Sequence, residues 1–171
     1  MADKEINSDC STKNIDECGH FSIIEHPADI GISISAQSLE VAFEIAARGM
    51  FSIICNIDKV KPQSMKKIRI WCSAEMGIEG LLILWLEKLI YLHEVNKMLF
   101  CRFEVQPVIM NFSKNTGGAK KYILRARVYG EKINNSVHEL ALAIKAPTYH
   151  KLSLKKDDVS GNWLGTVIFD V

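Results

Sequence analysis

The chain has 171 residues, of which 48% are hydrophobic and 24% charged, and its formal net charge is +1. That length and balance specify one soluble globular domain with a real core, and exclude a disordered, fibrous or collagen-like chain. They also exclude a bulk basic field able to hold a polyanion by itself, so contact with nucleic acid must come from a local patch or a partner.

Residues 1–20 are polar and mixed in charge, too poor in apolar groups to offset chain entropy, and are expected to form a disordered tail; the domain is placed at residues 21–171. The first residues lack the basic start and apolar stretch of a secretory signal, which points to the cytosol or nucleus. Strands are expected at 21–25 and 29–36, the second alternating Ile30, Ile32, Ile34 and Ala36 against Gly31, Ser33 and Ser35. Ser38 is placed to cap a helix reaching about Cys55, with Leu39, Ala42, Phe43, Ala46, Met50 and Ile53 at three- and four-residue steps.

A strand follows at 67–74, where Ile68, Ile70, Cys72 and Ala74 face one way and Lys67, Arg69, Trp71 and Ser73 the other. The second helix, 75–96, is apolar nearly all round and is expected between layers as the central core element. Its most apolar part is interrupted by Glu79, Glu87 and Lys88 and falls short of the ~20 residues a membrane crossing needs. Strands at 99–112 and 121–128 are joined by a turn-rich 113–118 segment, and two more are expected at 141–154 and 163–170. This order specifies an α+β fold, a single domain with a mixed or antiparallel sheet packed with two main helices.

GxGxxG, GxxxxGK[ST] and GxSxG are all absent from the sequence, and no histidine has a recognisable nucleophile beside it. The five cysteines (Cys10, Cys18, Cys55, Cys72, Cys101) are scattered and nowhere spaced as CxxC, as free thiols in a reducing compartment would be. Asp29 and Asp170 each stand at the end of an apolar strand, and Asp170 precedes Val171 with its terminal carboxylate. Two such strands side by side would pool three carboxylates. Such a set selects a hard cation, Ca²⁺, Mg²⁺ or Mn²⁺, with waters completing the shell, although aspartates in such places also simply accept amide hydrogen bonds in turns.

His26 lies three residues before Asp29, and the 144–150 segment brings Lys145, Thr148, Tyr149 and His150 into an otherwise apolar run. Tyr149 and His150 are read as half-buried strand residues, and Lys145 as a partner for a carboxylate or an anion, or as a surface lysine. The basic residues Lys114, Lys120, Lys121, Arg125 and Arg127 gather on the hairpin, where the plain reading is a solvated face.

Glu25-His26-Pro27-Ala28-Asp29-Ile30-Gly31-Ile32, the Leu84-Trp85-Leu86-Glu87-Lys88-Leu89 helix, Ile144-Lys145-Ala146-Pro147-Thr148-Tyr149-His150 and the final Val167-Ile168-Phe169-Asp170-Val171 together resemble the archease family, in order, from about residue 21 to the last. The sequence departs from that family's usual pattern at Pro27 and Pro147. The resemblance implies a compact α+β protein that performs no ligation itself and serves as cofactor to the GTP-dependent tRNA-splicing RNA ligase of the RtcB type. It would promote guanylylation of the ligase and its multiple turnover with a divalent metal, meeting RNA only indirectly and no membrane. Carried over by position, the metal ligands are Asp29, Asp170 and Val171, with His26 and Lys145 as neighbouring functional candidates. The alternatives are a metal-dependent phosphohydrolase or nucleotidyl transferase using the same aspartates, an RNA-binding module, and a chaperone-like structural partner.

Overall fold

Alternating apolar residues build two separate antiparallel sheets, and two helices lie between them. The computed structural model describes residues 18–25, 29–112 and 120–171. In the first sheet β1 (Gly19–Glu25), β2 (Ile30–Ala36), β8 (Trp163–Asp170) and β7 (Ala146–Lys156) run in the order β1-β2-β8-β7. In the second, β3 (Ser64–Ser73), β6 (Lys120–Lys132) and β4 (Met98–Val105) run in the order β3-β6-β4, and the short β5 (Ile109–Phe112) also pairs with β6. Among the described residues the two long helices are α1 (Leu39–Ile54) and α2 (Gly77–Asn96), and each touches strands of both sheets.

The α+β class expected from the sequence is therefore present, as two antiparallel sheets instead of one. Ile32, Ile34 and Ala36 are buried as the alternation of β2 requires, and Ser38 caps α1 by accepting from the Val41 amide at 3.2 Å. Both helices, not α2 alone, are core elements. Ala42, Ala46, Ala47 and Gly49 on α1 let the sheets approach closely, while Phe43, Met50 and Phe51 fill the space between. Phe51 packs edge-on against Phe100, 5.6 Å between centroids, and stacks on Phe103 at 5.9 Å.

Trp85 on α2 is fully buried and donates its indole N–H to the Phe43 carbonyl at 3.0 Å, joining the two helices. Removing that donor strands the carbonyl's second lone pair and leaves a small void. Trp85→Phe is expected to lower unfolding free energy by about 1–2 kcal/mol, read from a urea midpoint shift at unchanged slope.

Several boundaries differ from the sequence reading for identifiable reasons. β1 begins at Gly19 and Cys18 before it is buried, so residues 18–20 belong to the folded domain; residues 1–17 of the expected tail lie outside the described residues, as does the 113–118 turn. The single strand expected at 99–112 is two. Pro107 has no amide to donate, and the Val105 and Val108 amides turn to α1, donating to Glu44 at 2.7 Å and Glu40 at 3.2 Å.

Residues 141–145 are not strand, because the chain there crosses to α1: Ala141 donates to the Ile54 carbonyl at 2.8 Å and Leu140 bridges Cys55. Tyr149 is 64% exposed and His150 exposed, not half-buried, since the β7–β8 register breaks between Thr148 and Ser153 and Lys151 takes a φ of 53°. Pro147 is tolerated because β7 is an edge strand.

Candidate functional site: a carboxylate corner at the ends of two strands

The ladder between β2 and β8 ends at Ile30 opposite Phe169, and one further step along both strands sets Asp29 across from Asp170. The two aspartates, 141 positions apart in sequence, thus flank the last paired residues of adjacent strands at one corner of the first sheet. Asp29 is exposed, and the Asp170 side chain is 59% exposed while its strand neighbours Val167, Ile168 and Phe169 are buried.

The residue just before β7 brings the third member from the other side. The Lys145 amide donates to the Asp170 carbonyl at 2.8 Å, which fixes its backbone against the end of β8. Its ammonium then donates to the Val171 main-chain oxygen at 2.8 Å and stands 3.9 Å from an Asp170 carboxylate oxygen. Lys145 therefore meets a carboxylate rather than projecting as a plain surface lysine. Two-thirds of its side chain is exposed, so this ion pair contributes little to stability. Its importance is that the corner already attracts a cation.

His26 and Pro27 lie outside the described residues. Among those described, no group of three or more histidine, cysteine, aspartate or glutamate side chains converges as a metal site. The corner instead offers two aspartates and the oxygens of Val171. An all-oxygen, solvent-facing set of that kind fits a hard divalent ion that keeps several of its waters, and does not fit zinc or copper.

His138, His93 and the described cysteines are structural. His138 is buried; its Nδ1 accepts from the Asn134 amide at 3.0 Å, so Nε2 carries the proton toward Glu131 at 3.2 Å. His93 must donate from Nδ1, since its partner at 2.7 Å is the Met98 carbonyl. The described cysteines carry free thiols, and burial pushes Cys55 up to about 11 and raises Cys72 and Cys101 as well, away from nucleophilic chemistry. Among the described residues no helix is long and apolar enough to cross a membrane.

Helices held between antiparallel sheets are a fold shared with the solution structure of Methanobacterium thermoautotrophicum protein 1598. That chain superposes with a TM-score of 0.68 at 24% identity, over 88% of this chain and 98% of that one, which establishes the fold class. Residues 21–171 match the Archease protein family. Protein archease of Pyrococcus furiosus is 36% identical over 148 residues, covering 86% of this chain and 95% of that protein. Protein archease of Methanosarcina mazei is 31% identical over 151 residues, covering 88% and 95%. The chain belongs to the archease family.

Proposed function

We propose that the chain is a non-catalytic protein cofactor of the GTP-dependent RNA ligase in tRNA splicing, acting in the cytosol or nucleus, that promotes guanylylation of the ligase and its multiple turnover. The observation that carries this reading is the β2–β8 register, which brings Asp29 and Asp170 to one exposed corner in a chain of the archease family. Asp29, Asp170 and Val171 would hold a divalent cation there, with Lys145 as their neighbour and His26 beside Asp29 in sequence.

Bound at such a corner, a divalent cation supplies charge neutralisation for a phosphate. The chain's own residues do the rest. The strand ends hold the carboxylates at the surface, where a partner can reach them, and the buried β8 residues behind Asp170 keep that corner rigid. Lys145 sets the charge balance: its ammonium donates to a Val171 oxygen and stands beside Asp170, so a divalent ion there must displace it or share those oxygens.

The test is multiple-turnover RNA ligation by the cognate ligase with GTP and divalent metal, with and without this protein. Stimulation is expected with the wild-type chain and none with Asp29→Ala or Asp170→Ala, both of which should remain folded because the side chains they lose are exposed. Wild-type stimulation by either folded variant would remove the carboxylate corner from the mechanism. Hydrolysis of GTP by the protein alone, lost in Asp170→Ala, would replace the cofactor reading with an enzymatic one.

A further inference from the structure

The outer face of the second sheet carries a second charged site, remote in sequence from the carboxylate corner. Ile68, Cys72, Leu124, Ala126 and Val128 turn inward to the helices, so the alternate residues of β3 and β6 face solvent. The register then sets Lys67 opposite Arg127 and Arg69 opposite Arg125, two cross-strand pairs of like charge in adjacent rows. Such pairs oppose folding, which makes their presence side by side a cost without a structural return.

Glu104 reaches this face and is shared among Tyr129 at 2.9 Å, Arg102 at 3.5 Å and Arg127 at 3.9 Å, while Glu87 lies at its edge, in a pocket beside Arg69 and Trp71. Lys67, Arg69 and Arg125 are exposed and have no carboxylate partner among the described residues. The four cations line a groove of about 340 Å³ together with Gln106.

Aromatic rings flank the band on both sides. Trp71, 56% exposed, stands two residues beyond Arg69 with the Lys121 ammonium 4.1 Å from its centroid. Tyr129, two residues beyond Arg127, lies under the Arg102 guanidinium at 3.8 Å. Successive cations on one strand are about 7 Å apart, a spacing comparable to that of neighbouring phosphates along a nucleic-acid strand.

We infer that this face binds single-stranded nucleic acid, with the Lys67–Arg127 and Arg69–Arg125 rows on phosphates and Trp71 as a stacking platform for a base. A charged groove with aromatic platforms is how sequence-tolerant single-strand binders work, and a continuous row of like charge complements a phosphodiester backbone better than the mixed surface of a protein. This binding is direct and independent of any ligase, unlike the indirect contact with RNA that the family resemblance implies.

The test is fluorescence anisotropy of the full chain with labelled short oligouridine and oligothymidine across a salt series. With four phosphates neutralised, log Kobs against log salt should fall with a slope of roughly −3. Arg69→Gln with Arg125→Gln should weaken binding at least about tenfold and roughly halve that slope, at an unchanged or raised urea midpoint. Lys67→Gln with Arg127→Gln reads the same band should the first pair disturb folding, and Lys155→Gln with Lys156→Gln on β7 should change nothing. Trp71→Ala should weaken binding several-fold without altering the slope.

A preference for one oligonucleotide would identify the natural strand as RNA or DNA, within the proposal. A flat salt dependence, or band variants that bind like wild type, would overturn it. So would displacement by polyglutamate at equal charge concentration, which would assign the face to an acidic protein surface.

Discussion

Gly130→Ala is expected to destabilise the protein by about 3 kcal/mol or more, a large share of the 5–15 kcal/mol that holds a domain together. Gly130 sits in β6, the strand with partners on both sides, opposite Phe100 and Ser64. A Cβ there would overlap the Leu99 carbonyl oxygen and come within 2.8 Å of the Leu99 carbonyl carbon and of Phe100 Cα. These are backbone atoms of a strand whose side chains at 99 and 100 are fully buried, so they cannot swing aside as a side chain can. The close approach arises where β4 skips one residue against β6, between Phe100 and Arg102.

Gly161 provides the comparison. Nothing lies within 4 Å of a Cβ built there, and only its φ of +73° resists substitution, so Gly161→Ala should cost about 1 kcal/mol. Urea titration of both variants measures the difference directly. Equal losses would show that β4 and β6 can spread apart.

The second large effect is a pH dependence centred on Glu44. Burial against the 105–108 segment pushes its carboxyl from 4.5 to about 7, against the lowering effect of the Val105 amide and with smaller upward contributions from the Glu104 and Glu40 carboxylates. The folded chain therefore keeps a proton between pH 4.5 and about 7 that the unfolded chain has released. With more protons bound to the folded state, stability falls as pH rises through that window and levels off above it, by up to about 3 kcal/mol.

Glu44→Gln keeps an oxygen for the Val105 amide and removes the charge. It should be more stable than wild type by up to about 3 kcal/mol at pH 8 and nearly equal to it near pH 4. Thermal unfolding of both proteins at the two pH values is the check. A difference that does not change with pH would mean that Glu44 is ionised throughout.

What could be read from the sequence was whatever is encoded within one element. The capped start of α1 at Ser38, the alternation of β2 and the run of β8 are local patterns, and each is found where the pattern put it. The partition of strands into two sheets is not local. β3 and β2 alternate alike, and only tertiary packing against α2 or α1 decides which sheet each joins.

The same distinction governs the two sites. Asp29 and Asp170 were conspicuous because each ends an apolar run, so strand adjacency was enough to unite them. The basic band was half visible. In the sequence Arg125 and Arg127 stand among hairpin lysines, and Lys67 and Arg69 on the outward face of a strand nearly sixty residues away. Their meeting depends on a register that no short segment specifies.

The β2–β8 ladder joins the first half-turn of the domain's chain to its last residues, across almost its whole length. Contacts of such high sequence separation form late and slowly, because loop closure must be completed before the pairing repays it. Partly folded chains with both helices in place but β8 undocked would have a collapsed interior and no carboxylate corner. The corner is thus a certificate of completed folding, and a partner that recognises it would pass over every incompletely assembled molecule.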